Sequence, residues 1–139
     1  IELANELDLP VVFHDRESHE DTLNILKKHN PKGVLHCFSG SVEMAKEIVK
    51  IGMSLGIGGV LTFKNARVLP DVVKAIPLEK LVLETDAPYM TPVPHRGKRC
   101  DSAHIMYTAE KIAEVKGMDT QELIDICNNN AKELFGING

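Results

Sequence analysis

Apolar and polar positions along the chain follow two alternating periods. Residues 10–15 (PVVFHD), 33–38 (GVLHCF), 53–58 and 81–85 are short, largely apolar runs that read as four strands. Between them the spacing becomes helical: residues 18–29 with Leu23 and Leu26, residues 41–51 with Ser41 as N-cap and Gly52 as the stop signal, and residues 66–76. Asn30-Pro31-Lys32-Gly33 reads as a turn. Two helices, 102–116 and 120–135, close the chain, the second with Thr120 as its cap. Strand, helix and strand in regular succession predict parallel strands joined by right-handed crossovers.

Alternation along each strand sorts the residues by face. Val12, His14 and Arg16 fall on one face of the first strand, and Val34, His36 and Phe38 on one face of the second. Ser54, Gly56 and Gly58 share a face of the third, and Val82, Glu84 and Asp86 a face of the fourth. The opposite faces are apolar and suited to helices. The named faces turn polar, or lose their side chains, towards the carboxyl ends. This is the layout of a TIM-type β/α barrel, whose chemistry lies at the carboxyl ends of its strands. A whole barrel takes eight strands and about 250 residues. The chain has 139 residues and four strand signals, so it is expected to be a single domain over residues 1–139 supplying four β/α units. It opens on Ile1-Glu2-Leu3-Ala4, helical in character and without an initiating Met, which adds to the expectation of a piece of a longer protein.

Composition narrows the function classes. The net charge of -4 excludes a chain that is a general polyanion binder, so phosphate contacts would have to come from a local cluster. Aromatics at 4% argue against a broad stacking platform for nucleic acid. Cys37, Cys100 and Cys127 have neither disulfide nor metal-ligand spacing and fit a reducing, cytoplasmic compartment. No apolar run is long enough for a membrane span.

His14, His36 and Asp86 stand at the carboxyl ends of three different parallel strands. Neighbouring strands lie ~4.8 Å apart, so such side chains can converge on one ion. Two imidazoles and a carboxylate suit Zn, Mn, Fe or Ni, and Mg alone less well. The plainer alternative is a set of satisfied polar residues at strand ends. Gly56 and Gly58 leave inward positions empty beside that set, although glycines in strands also mark bulges. Arg16 offers a phosphate-binding guanidinium or a surface ion pair. Pro94-His95-Arg96-Gly97-Lys98-Arg99 places three formal positive charges within six residues, a cationic loop suited to an anionic substrate or simply to solvent. His19, His29 and His104 lie on predicted helices or their edges and read as surface residues.

These residues together resemble the TatD family of metal-dependent deoxyribonucleases, a branch of the amidohydrolase-like barrels. The resemblance rests on PVVFHDR, HCFSG at 36–40, GIGG at 56–59, LETDAPY at 83–89, the PHRGKR loop and NNNAKELFG at 128–136. It implies the carboxyl-terminal half of such an enzyme, with the last four β/α units of the barrel. It also implies one or two divalent ions (Mg, Mn or Zn), with His14, His36 and Asp86 as ligands and phosphodiester hydrolysis as the reaction. Asp86 would also act as general base, and Glu84, Gly56 and Gly58 would support the ligands from behind. Arg16, Arg96, Lys98 and Arg99 are assigned to the phosphates of DNA or another phosphodiester. Many family members have Asn-Glu-Pro after the cationic loop, where this chain has Cys100-Asp101-Ser102.

Two other readings stand beside this one. The same ligand set serves hydrolases of small esters or amides on this fold. Alternatively, the chain is a non-catalytic half-barrel that acts by pairing with the missing amino-terminal half or with itself. In that case an apolar sheet face lined by Val12, Val34, Phe38 and Val82 would be open to association.

Overall fold

A computed structural model describes residues 1–137. A short helix α1 (Glu2–Glu6) precedes strand β1 (Val11–His14) and helix α2 (His19–His29). Strand β2 (Gly33–His36), helix α3 (Val42–Lys50) and strand β3 (Ser54–Ile57) follow, then helix α4 (Leu69–Ala75) and strand β4 (Leu81–Leu83). Helices α5 (Ile105–Lys116) and α6 (Thr120–Phe135) complete the chain. The four strands form one parallel sheet in the order β1-β2-β3-β4, so each β/α unit lays its strand beside the last. Each strand is shorter than its apolar run, although single bonds from Phe38 N–H to Gly56 O and from Glu84 N–H to Ile57 O carry the ladder past the last regular pairs.

Leu35, Leu55, Ile57 and Leu81 project from one sheet face into the core, where they join Leu26, Ile48, Val72, Ile112 and Leu123 of the helices. Burying each such side chain contributes roughly 1.5–3 kcal/mol. The opposite face is the one expected to carry the polar strand ends, but it is not the open apolar surface the alternation predicts. Val12 is exposed, whereas Val34 and Val82 are buried. Phe38 does not lie on that face at all. Cys37 takes a left-handed backbone (φ 51°), which ends the period of two, and Phe38 turns into the helix-side core. Of four residues expected to drive self-association, Val12 alone is exposed.

Helix boundaries follow their caps. Ser41 caps α3 as expected, its hydroxyl accepting from Met44 N–H at 3.2 Å. For α6 the cap is Asp119, whose carboxylate accepts from Glu122 N–H, and Thr120 is the first helical residue. Asp119 holds the extended backbone that a cap requires, which moves the cap one residue upstream of Thr120. No helix among the described residues is long and apolar enough to cross a membrane.

Asn130 ties the last helix to the last strand. Its amide donates to Leu78 O at 2.7 Å and to Leu81 O at 2.9 Å, on either side of the entry to β4. Asn130→Ala leaves both carbonyls without that partner and is expected to lower unfolding free energy by about 1–3 kcal/mol. Urea denaturation measures this, and an unchanged midpoint would show that the clamp contributes nothing.

Candidate metal centre

Beyond the last regular pair of β3 and β4, the backbone ladder continues for one more step, with Glu84 N–H donating to Ile57 O at 3.2 Å. From there the Glu84 side chain crosses the whole width of β3 and reaches β2. Its Oε1 accepts from Cys37 N–H at 2.7 Å, and its Oε2 accepts from His36 Nδ1 at 2.9 Å. The crossing is possible because Gly56 has no side chain: a Cβ there would stand 2.2 Å from Glu84 Oε2. Gly58 has a different status, since a Cβ would meet Glu84 Cγ at 3.5 Å, an ordinary contact. Gly56 therefore makes room for a carboxylate, and Gly58 is not required for it. Burial pushes the Glu84 carboxyl above its ordinary pKa, and the neighbouring Asp86 adds to this, against the opposing hydrogen bonds from His36 and Cys37.

With Nδ1–H committed to Glu84, His36 presents the lone pair of Nε2. That atom lies 3.6 Å from Asp86 Oδ1, too long for a direct hydrogen bond. Two electron-pair donors thus converge with room between them, which is the chemistry of a cation site, and the orienting carboxylate behind the imidazole is its usual support. His14 is the register partner of His36 in β1 and β2, and their ring centroids are 5.6 Å apart. His14, His36, Glu84 and Asp86 are therefore gathered at the same end of the sheet. Asp86 has a left-handed backbone (φ 56°), so it is placed by a turn and not by the strand alternation.

The cysteines yield one surprise. Cys37, without metal-ligand spacing in the sequence, has its thiol grouped with donor atoms of His36 and Glu84, all within 4.8 Å of one another. This group is a weaker cation site than the His36–Asp86 pair. Both Glu84 oxygens are already engaged, and burial, with the charges of Glu84 and Asp86, raises the thiol pKa and keeps the proton on sulfur. The signal that could have found the His36–Glu84 pairing was Gly56, whose empty position serves a side chain from the neighbouring strand on its way to the next.

Arg16 departs from expectation. β1 ends at His14, Asp15 is buried, and Arg16 is exposed on the bend that follows, so strand alternation does not aim it alongside His14. Asp15 is the anchor of this bend, accepting from Ser18 N–H at 3.1 Å, Ser18 Oγ at 2.9 Å and His19 Nδ1. Burial raises the Asp15 pKa, but these hydrogen bonds outweigh it and hold the group below the usual carboxylate value. His19 thus orders a loop and is more than a surface residue.

The cationic loop is fixed at several points. Thr91 Oγ1 donates to Lys98 O at 2.6 Å and closes it at the base. Thr62 Oγ1 accepts from Val93 N–H at 2.8 Å and donates to Gly59 O. Gly59 allows the loop to pass, because a Cβ there would stand 2.3 Å from Met90 O. The Arg96 guanidinium lies 3.7 Å above the Phe63 ring, a cation–π contact that holds it in place. His95 hydrogen-bonds with Tyr107 at 2.8 Å. Lys98 and Arg99 are exposed. Asp101, in the segment that departs from the family pattern, accepts from Ala103 N–H and pairs with His104, starting the turn that leads into α5. His104 is therefore part of a cap.

A family model described as TatD related DNase matches residues 1–136. The uncharacterized metal-dependent hydrolase YabD of Bacillus subtilis is 46% identical over 99% of this chain and 55% of its own length. The uncharacterized metal-dependent hydrolase YcfH of Escherichia coli K12 is 39% identical over 99% of this chain and 53% of its own. The crystal structure of YJJV, a TatD homolog from Escherichia coli K12, superposes with a TM-score of 0.91 at 33% identity, covering 99% of this chain and 54% of that one. A hydrolase TatD family protein from Entamoeba histolytica gives 0.81 at 26% identity, over 96% of this chain and 53% of its own. The chain spans about half the length of these relatives. The expectation of a carboxyl-terminal half does not stand: the match takes in 99% of this chain, and it gives a share of the relatives' length, not a position within it. Matched over residues 1–136 by the family's own model, the chain belongs to the TatD related DNase family.

Proposed function

We propose that the sheet is part of a TIM-type barrel and that its carboxyl end contributes to a divalent-metal centre hydrolysing phosphodiester bonds, with DNA as substrate. The observation that carries this reading is the convergence of His36 Nε2 and Asp86 Oδ1 at 3.6 Å, with Glu84 holding the far side of the imidazole. His14, His36 and Asp86 are the ligands in this reading, and Mg, Mn or Zn is the ion. When bound, such an ion supplies a nucleophilic water at neutral pH and polarises a phosphoryl oxygen. Glu84 keeps the Nδ1 proton of His36 in place, so the ring always offers the same nitrogen. Asp86 accepts the proton of the attacking water. Arg96, Lys98 and Arg99 hold the phosphates through the cationic loop, and Arg16 adds charge from the bend after β1. The names of the family and of its relatives support a metal-dependent hydrolase, and the loop favours a phosphate-bearing substrate over a neutral ester or amide.

The test is hydrolysis of a single-stranded oligonucleotide against small ester and amide substrates, after chelation and with each metal restored. Oligonucleotide cleavage that disappears with chelator is the expected result. Cleavage of the small substrates with the oligonucleotide untouched would overturn the assignment. Arg99→Ala is expected to raise KM, leave kcat nearly unchanged and reduce the salt dependence of binding by a slope of about 1. A large loss of kcat would place Arg99 in the chemistry instead.

A further inference from the structure

The LETDAPY motif ends on a residue with no role in the reading above. Tyr89 is 69% exposed, on a chain with two tyrosines and no Trp. A solitary exposed ring is ordinary surface. Three observations set this one apart. Tyr89 N–H donates to Asp86 O at 2.9 Å, so the ring and the candidate base share one four-residue turn. Pro88 O, inside that turn, accepts from Cys100 N–H at 3.0 Å, which joins the turn to the residue after Arg99. Between them lies an open cavity of about 470 Å³, lined by Ala87, Pro88, Arg99, Cys100 and Asp101. Its volume is in the usual range for a small-molecule site. Ala87 and Pro88 give this lining its apolar part, and Arg99 and Asp101 give it one cation and one carboxylate. Met90 and Val93, both exposed, extend the apolar surface along the chain.

The Arg99 cation, the apolar Ala87 and Pro88 and an exposed phenol ring on adjoining backbone match the three parts of a nucleotide, while the Asp101 carboxylate of the same lining is engaged by Ala103 N–H and His104. We propose that Tyr89 is a base-stacking residue that recognises an unpaired nucleotide next to the scissile phosphate, with Arg99 taking a phosphate. This rests on the phosphodiesterase reading and narrows it to substrates whose base is free of a duplex stack. A stacked ring tolerates any base, because each presents a π face. One aromatic suffices for a single terminal or flanking nucleotide, which agrees with the low aromatic content of the chain.

The experiment is binding by the full chain, in chelator so that nothing is cleaved. Two oligonucleotides of equal length are compared, one with all its bases and one abasic throughout, which keeps the phosphates and removes the stacking partner. Without Trp, emission comes from Tyr89 and Tyr107, and stacking on Tyr89 quenches it. Tyr89→Leu is expected to weaken binding of the base-bearing oligonucleotide roughly tenfold and to leave the abasic one unchanged. Tyr89→Phe is expected to keep the affinity and lose the quenching. Equal affinity of Tyr89→Leu and the unsubstituted chain for the base-bearing oligonucleotide, equal losses on both oligonucleotides, or no binding of either would overturn the proposal. If the base-dependent difference appears but no metal restores cleavage, the phosphodiesterase reading fails and the stacking assignment stands. Cleavage without any base dependence has the reverse meaning.

Discussion

Asp86→Asn is expected to cut turnover on oligonucleotide by on the order of 10²–10⁴, while oligonucleotide binding in chelator stays nearly constant. Asn keeps the shape of the side chain but replaces the carboxylate, proposed above as ligand and proton acceptor, by a neutral amide. The amide also places a donor where Oδ1 now faces His36 Nε2 at 3.6 Å. The substitution is unusually clean for a residue with φ 56°, because Asn adopts the left-handed backbone readily. No backbone rearrangement should therefore accompany the loss of charge. Single-turnover kinetics with metal restored, alongside circular dichroism, measure both halves of the expectation. An Asp86→Asn variant that turns over at the original rate would remove Asp86 from the chemistry.

The second large effect is expected from a residue that touches no substrate. Gly56→Ala places a methyl group 2.2 Å from Glu84 Oε2 and 3.3 Å from His36 Cα. The backbone of β2 cannot yield easily, so the carboxylate must leave. Its departure unpairs His36 Nδ1 and Cys37 N–H together. Loss of such an orienting partner costs about 10–100-fold in metal affinity or activity, and Gly56→Ala is expected within that range. Gly58→Ala, with its nearest contact at 3.5 Å, is the control and should be near neutral on metal affinity. Calorimetric titration with Mn or Zn separates the two. Equal affinity in both variants would show that the carboxylate crossing β3 does not position the imidazole.

The sequence showed the strand–helix alternation and the polar strand ends, because periods of two and of 3.6 are imposed by burial along the whole element. It led astray where the backbone leaves those periods. The left-handed residue Cys37 sends Phe38 into the core, and the end of β1 at His14 breaks the extrapolation to Arg16. A single-residue change of φ has no hydrophobic signature, so alternation extrapolated through it fails. Glu84 was read as support for the ligands, but its partners were hidden. His36 is 48 positions away in the chain, and nothing local encodes a side chain that spans an intervening strand. The anchoring of Arg96 on Phe63 is hidden for the same reason.

The Asn130 clamp bears on how the protein is made. A ribosome releases the chain from its amino end, so β4 and its neighbours leave the exit tunnel before α6 exists. Leu78 and Leu81 gain their amide partner only when residue 130 has emerged, about fifty residues after the strand it fastens. Glu84 and Asp86 ride on that strand's continuation. A nascent chain stalled before α6 would therefore carry every candidate ligand and yet lack the fastening of the strand that presents two of the carboxylates. A truncation that removes α6 and spares His14, His36, Glu84 and Asp86 should therefore leave the two carboxylates more loosely held.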